Sequence, residues 1–360
     1  MALVKLNSRG TDNIGGRRNL IINGAMQVAQ RGTVANAANK YGGADRYQFA
    51  AAGGADATLS QDTDVPTGQG FSSSQKVDVT TAGNMSGSGH YAMIRQKIEG
   101  QNLQHLLYGT ASAKKLTLQF WVKSPKTGTH IVELYHGDVN YFNSQTYTIA
   151  SANTWQKVIL TFDGYQTTAL DNDNGIGIQV AWWLAASATY NSGSFSSNTW
   201  HNDAAKRAVG QVNVFDNASN NFYFTGVQLE VGDIASDFEH RSFDEELNRC
   251  YRYCYVWKAE QTFDVFCDLN VWTSSTLLGQ YALPMHMNHD PAIDFSAAGD
   301  FVFSANNADR VITALALNRS TPRDVQIFAT DVDHGFSQGV GGFLRAGNNT
   351  TASVTLESEI

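Results

Sequence analysis

Hydrophobic and polar positions alternate along most of this chain with the period of two that belongs to strands buried on one face. In KKLTLQFWVKS, Leu116, Leu118, Phe120 and Val122 point one way, and Lys115, Thr117, Gln119, Trp121 and Lys123 point the other. TWQKVILTFDG repeats the pattern with Val158, Leu160 and Phe162 inward. GIGIQVAWWLAA places Ile176, Ile178, Val180, Trp182 and Leu184 inward and leaves Gln179 and Trp183 on the opposite side. YGGADRYQF and YAMIRQKIEG supply two earlier strands. Such runs, separated by Gly, Asn and Ser clusters, predict an all-β sandwich of two sheets over residues 19–241. Tyr223, Thr225, Val227, Leu229 and Val231 are expected on one face of its last strand.

The period changes within residues 221–255. Ser242 with Glu245 forms a capping-box pattern, Asp244, Glu245 and Glu246 occupy a first turn where negative charge is favoured, and Arg249 and Arg252 follow. On such a helix Phe243, Leu247, Cys250, Tyr251 and Cys254 fall on one side. That stripe needs a partner surface, either the same helix in sister chains or the chain's own β-domain. Strands resume in FDVFCDLNVW, FVFSANN, RVITALALN and DVQIFATDV, and the last is SVTLESEI. The organisation read from this pattern is an arm or attachment segment over 1–18, the sandwich over 19–241, a linking helix over 242–255 and a C-terminal β-domain over 256–360. The boundary is expected inside the helix, near Asn248.

Composition narrows the class of partner. Charged residues make up 16% of the chain, below the roughly 25% usual for soluble domains, so the surface is read as neutral and hydrogen-bonding. A net charge of -8, with no basic run longer than Arg17-Arg18, argues against nucleic acid. No apolar run approaches the ~20 residues of a membrane span, and MALVKLNSRG lacks the apolar centre of a signal peptide. Membrane insertion is therefore not expected. Cys250, Cys254 and Cys267 are odd in number and lack C-x-x-C spacing, which suggests neither a disulfide framework nor a zinc site.

Nucleophile motifs are absent: there is no G-x-S-x-G, and no histidine has the Ser or Cys context of a triad, so an acyl-transfer enzyme is not expected. Two carboxylates brought together by the fold, as in glycan-cleaving appendages, are the minority reading, and the expectation is no enzyme and no cofactor. Asp171-Asn172-Asp173-Asn174-Gly175 starts like a calcium loop but lacks the later Glu, and a polar turn is the preferred reading. His286 and His289, three apart on a predicted strand, point to opposite faces and make an ion shared within one chain unexpected, the alternative being one His from each of three chains gathered around a symmetry axis. Trp121 and Trp183, two large aromatics on non-core faces, carry the sharpest candidate chemistry. Their flat rings suit the C–H face of a sugar, and Gln119 and Gln179 suit its hydroxyls. Packing of both rings beneath loops or against a sister chain is the alternative. Tyr190 and Trp200, with His201, join the candidates from the next loop. Binding through such groups is expected to tolerate moderate salt.

FYFTGVQLEVG followed by FEHRSFDEELNRCYRY closely resembles a signature of bacteriophage virion proteins found in tail fibres and related appendages. RRNLIINGAMQVAQRGT, ADRYQF, LTLQFWVKS, TWQKVILTF and the closing FLRAGNNTTASVTLESEI resemble it too. The resemblance implies a jelly roll like those of carbohydrate-binding modules, then a C-terminal β-domain, in a trimeric surface appendage. On it rests the expected function: a tail fibre or receptor-binding appendage of the virion, a homotrimer in contact with other virion proteins, assembled in the host cytoplasm and attaching to host surface glycans. A capsid decoration or head-fibre subunit contacting other virion proteins is the main alternative, and a glycan depolymerase the remaining one.

Overall fold

The alternating segments pair as antiparallel sheets. The computed structural model describes residues 18–330 and 335–360, so the expected N-terminal arm, apart from Arg18, lies outside the described residues. The chain divides between Glu246 and Leu247 into two units.

In the N-terminal unit one sheet has the order β1 (Lys40–Tyr41), β2 (Gln48–Ala52), β5 (Tyr91–Glu99), β10 (Ile176–Ala186), β7 (Gly128–His136), β8 (Tyr141–Ile149). The other has the order β3 (Asp56–Asp62), β4 (Ser74–Thr81), β11 (Asn221–Val231), β6 (Leu116–Lys123), β9 (Gln156–Phe162). From β4 onward the chain changes sheet at every connection except β7 to β8, the wrapping of a jelly-roll sandwich. Between the sheets lie the inward sets read from the sequence, Leu116, Leu118, Phe120 and Val122 from β6, and Ile178, Val180, Trp182 and Leu184 from β10, except that Ile176 is half-buried at the start of β10, where the register shifts. Trp182 stacks on Phe224 at 5.1 Å and meets the edge of Phe120 at 5.6 Å.

Buried histidines make this core acid-sensitive. His130, on the core side of β7, stacks on Tyr147 at 5.4 Å and donates from Nε2 to the Lys126 carbonyl at 2.9 Å. Burial pushes its pKa down from 6.5 to about 4, against the pull of that carbonyl. Buried His136 and half-buried His201 are shifted the same way, again chiefly by burial. The unfolded chain thus binds protons that the folded one refuses, so stability is full above the unfolded value of 6.5 and falls as pH drops toward about 4. Urea midpoints measured across this range should decline, and His130→Gln should flatten the decline. An unchanged profile in the variant would remove His130 from the explanation.

One predicted face is split. Register along β11 slips between Thr225 and Gln228, opposite Trp121 and Gln119 of β6. Tyr223 and Thr225 therefore lie on the outer face, while Val227 and Leu229 join the core with Phe222 and Phe224. Gly226 makes this bulge with φ of 62°, and a Cβ there would stand 2.6 Å from the Phe71 ring and 3.1 Å from Trp121.

Entry and exit of the sandwich are clasped together. The Asn19 N–H donates to Glu239 at 2.8 Å, and Arg241 reaches the same carboxylate at 2.9 Å. Asn23 N–H donates to Glu246 at 2.6 Å, and Arg241 lies 3.3 Å from that group. Burial works to raise the pKa of Glu239, but the Asn19 N–H and Arg241 outweigh it and hold the carboxyl below its ordinary value.

Ser242 caps the helix as its spacing predicted, its hydroxyl accepting from Glu245 N–H at 3.3 Å. The helix is shorter than expected, with α2 spanning Phe243–Tyr251 and β12 (Cys254–Lys258) following at once. Cys254 thus leaves the helical stripe for a strand, and both Cys250 and Cys254 are buried by the chain itself. They are closed to a second copy. Phe243 remains 53% exposed, with Leu247 and Tyr251 half-buried.

The C-terminal unit holds a three-stranded sheet, β12, β21 (Ser353–Glu357), β15 (Ala292–Phe295). Its second sheet runs β17 (Ala308–Val311), β16 (Phe301–Ala305), β20 (Gly341–Ala346), β13 (Val265–Val271), β14 (Thr276–Ala282), β19 (Asp324–Thr330), β18 (Ala314–Thr321). Phe301, Phe303, Leu269, Leu277, Ile327 and Val354 form its core. Among the described residues no helix is long and apolar enough to cross a membrane.

Candidate ligand-binding face

Cross-strand register lays out the outer face of the six-stranded sheet. One row runs through successive partners Tyr41, Gln48, Arg95, Ala181, Glu133 and Ser144. The next runs Lys97, Gln179, Tyr135, Phe142, and on the other side Ala50, Met93 and Trp183 align. Aromatic, amide and cationic groups alternate here because β2, β5, β7, β8 and β10 each place every second residue outward.

Residues 187–212, between β10 and β11, fold over part of this face. The segment contains two short helical turns, α1 (Ala188–Asn191) and a 3-10 turn at Ala204–Lys206. It is pinned along β7 and β8: Phe142 and His201 exchange backbone hydrogen bonds of 2.7 and 2.9 Å, and Val212 N–H reaches the Thr129 carbonyl at 3.0 Å. Its main tether is Arg207, which grips both oxygens of Glu133 at 2.9 and 2.7 Å. The guanidinium lies 3.8 Å from the Phe142 ring centre, 5.0 Å from Trp183 and 5.5 Å from Tyr190. Burial works against the Arg207 cation, but Glu133 more than restores it and raises its pKa.

Beside this wall the face stays open as a shelf. Tyr135, stacked on Phe142 at 5.3 Å, is half-buried, as are Tyr41, Tyr91 and Arg95. The Arg95 Nε donates to Gln48 at 2.8 Å. Gln179 is mostly covered by its neighbours, yet its amide makes no hydrogen bond to the described residues. Flat rings beside unspent hydrogen-bonding groups suit a sugar, whose faces are apolar and whose rim is hydroxylated.

The residues singled out in the sequence are scattered by this fold. Trp121 and Trp183 do lie off the core side, but in different sheets with outer faces on opposite sides of the sandwich, so they cannot form one platform. Trp183 is also fully buried under the 187–212 segment, with Ile131, Ala208 and Tyr190 around it. It is a footing for the wall rather than a stacking surface. Gln119 is buried too, its amide donating to the Ser236 carbonyl at 2.7 Å. Trp200 donates from Nε1 to the Asp163 carbonyl at 2.7 Å and packs on Tyr165 at 5.4 Å, away from the shelf. Gln179 and Tyr190 alone of the six sit at the shelf, and Trp121 is half-exposed beside Phe71 on the other side.

Asp173 accepts from Gly175 N–H at 2.9 Å, the bond of a polar turn. His286 and His289 lie in the loop between β14 and β15, not on the strand expected for them. No cluster of three or more metal-ligating side chains occurs among the described residues. Arg95, Tyr135 and Arg207 were missed. Outward parity on YAMIRQKIEG marks Arg95, but nothing in sequence shows that it has no acidic neighbour.

No family model matches the chain, and no curated protein does. Among solved structures the chain is similar to the enzymatically active domain of tailspike protein 4 from bacteriophage CBA120, with 16% identity, a TM-score of 0.33, 60% of this chain covered and 22% of that one. It is also similar to a family 4 carbohydrate-binding module, with 17% identity, a TM-score of 0.30, 58% of this chain covered and 97% of that one. A family 11 module from Clostridium thermocellum, in complex with a mixed-linked tetrasaccharide, matches with 11% identity, a TM-score of 0.29, 53% of this chain covered and 91% of that one. The class of the N-terminal unit rests on its own strand order, that of a jelly-roll β-sandwich.

Proposed function

We propose that the protein is a non-catalytic subunit of a phage surface appendage, carried on the virion after assembly in the host cytoplasm, which attaches to a host surface glycan through the open shelf of its six-stranded sheet. The shelf itself carries the reading: half-exposed Tyr135, the uncommitted amide of Gln179, and a wall fixed by Arg207 beside them. A rigid wall lowers the ordering cost of binding. Each stacked ring contributes only about 1 kcal/mol beyond its buried area, so useful attachment requires many copies acting together. Tyr135→Ala should reduce retention of the assembled protein on host cells several-fold, while Trp121→Ala, on the opposite face, should leave it unchanged. Equal retention in wild type and Tyr135→Ala would move attachment off the shelf.

Copies are proposed to assemble as a homotrimer through α2, where Phe243 is exposed beside half-buried Leu247 and Tyr251. Mass measurement in solution should give three chains, and Phe243→Asp should weaken association without unfolding the jelly roll. A monomer at micromolar concentration would contradict it. Exposed Ile159 and Ile234, on the five-stranded side, favour a second reading in which the subunit decorates a capsid and contacts virion proteins there. Failure of wild-type protein to bind host cells would select that reading.

A further inference from the structure

The sequence, poor in charge and without a basic cluster, predicts a neutral ligand and binding that tolerates salt. The fold alters this by bringing Arg95 and Arg207 onto one face. Arg207 is matched by Glu133 in a two-pronged ion pair. Arg95 is not: its Nε is spent on the neutral amide of Gln48, and no carboxylate lies within ion-pair distance of it among the described residues. The ionisable groups that act on it most are Tyr91, Tyr41, Tyr135 and a second cation, Arg207. Burial, with Arg207 adding to it, pulls its pKa below the ordinary guanidinium value. A half-buried guanidinium with an unmatched charge costs free energy, and a bound anion relieves that cost.

Building on the glycan-attachment reading, we infer that Arg95 is the anchor for a single negative charge on the glycan, a sugar carboxylate or a sulfate ester, held in the fork of its guanidinium and flanked by Tyr135 and Gln179. Charge complementarity selects this occupant. Arg95, Arg207 and Glu133 together leave one positive charge, Lys97 in the next row and Arg31, 5.4 Å from the Tyr41 ring centre, are further cations of this face, and Tyr91 and Tyr135 give apolar ring faces on which a pyranose ring lies while its acid group turns to Arg95. A neutral glucan would leave the cation unmatched.

Surface polysaccharide extracted from the host is the probe, used intact, after chemical reduction of its carboxyl groups to alcohols, and after desulfation. Intact polymer should bind the assembled wild-type protein, and either carboxyl reduction or desulfation should remove most of that binding, which identifies the acid. Arg95→Gln should weaken binding of intact polymer about 10- to 100-fold per site, the value of one charge-assisted hydrogen-bonded contact. Arg95→Lys should recover part of the loss. If Arg95→Gln does not fold, wild type alone still decides, because its binding should weaken several-fold between about 0.05 M and about 0.5 M salt. Binding that survives both treatments and high salt would overturn the acidic ligand while leaving glycan attachment standing. No binding of any preparation would overturn attachment itself, and the anchor with it.

Discussion

Glu133→Ala is expected to lower the stability of the N-terminal unit by about 3–5 kcal/mol, because it strips a buried guanidinium of its only counter-charge among the described residues. The Glu133 side chain is 0% exposed and that of Arg207 15%, so water is a poor substitute for the lost carboxylate. Arg207 also holds the 187–212 segment against Phe142, Trp183 and Tyr190. The variant should therefore show two linked changes: an earlier urea transition followed by tryptophan fluorescence, and faster proteolysis within 187–212. A wild-type transition with an intact wall would mean that the segment is held by its other hydrogen bonds to β7 and β8, among them Ile131 N–H to Gln211 and Ser144 to the Arg207 carbonyl.

Trp183→Ala is expected to cost a similar amount, about 3–5 kcal/mol, as for a large buried aromatic whose removal leaves a cavity. Its indole underlies Tyr190 at 5.3 Å and Arg207 at 5.0 Å, so the loss falls on the wall's footing. Trp183→Phe should return most of the stability. Because Glu133 and Trp183 share Arg207, the double variant should lose less than the sum of the two. If Trp183→Ala instead keeps full stability and reduces only host-cell retention, the ring is a sugar platform after all.

Parity along single strands was legible in the sequence because a half-buried strand must alternate. β6 turns inward the residues its pattern assigns and β10 does so apart from Ile176, which precedes a register shift, while Ser242 caps α2 as its spacing requires. What parity cannot convey is which sheet a strand joins. Trp121 and Trp183 read alike, yet β6 and β10 lie in opposite sheets. Nor can it show that a later loop will cover an outward residue, as 187–212 covers Trp183, or that Gly226 will shift the register of β11. Several residues that carry the phage resemblance, Asn19, Asn23, Glu239, Arg241 and Glu246, turn out to clasp the ends of the sandwich. They hold the sandwich together away from the shelf, whereas Gln48, in the ADRYQF segment of the same resemblance, sits on it and accepts from Arg95.

Attachment through the shelf is tested most directly by footprinting. The assembled protein would be oxidised by hydroxyl radicals with and without surface polysaccharide from the host, and protection read residue by residue. The predicted result is protection of Tyr41, Tyr91 and Tyr135 with Trp121 and Trp155 unchanged, since the latter two belong to the five-stranded side. Protection of Trp121 and Trp155 with the shelf tyrosines unchanged would contradict it.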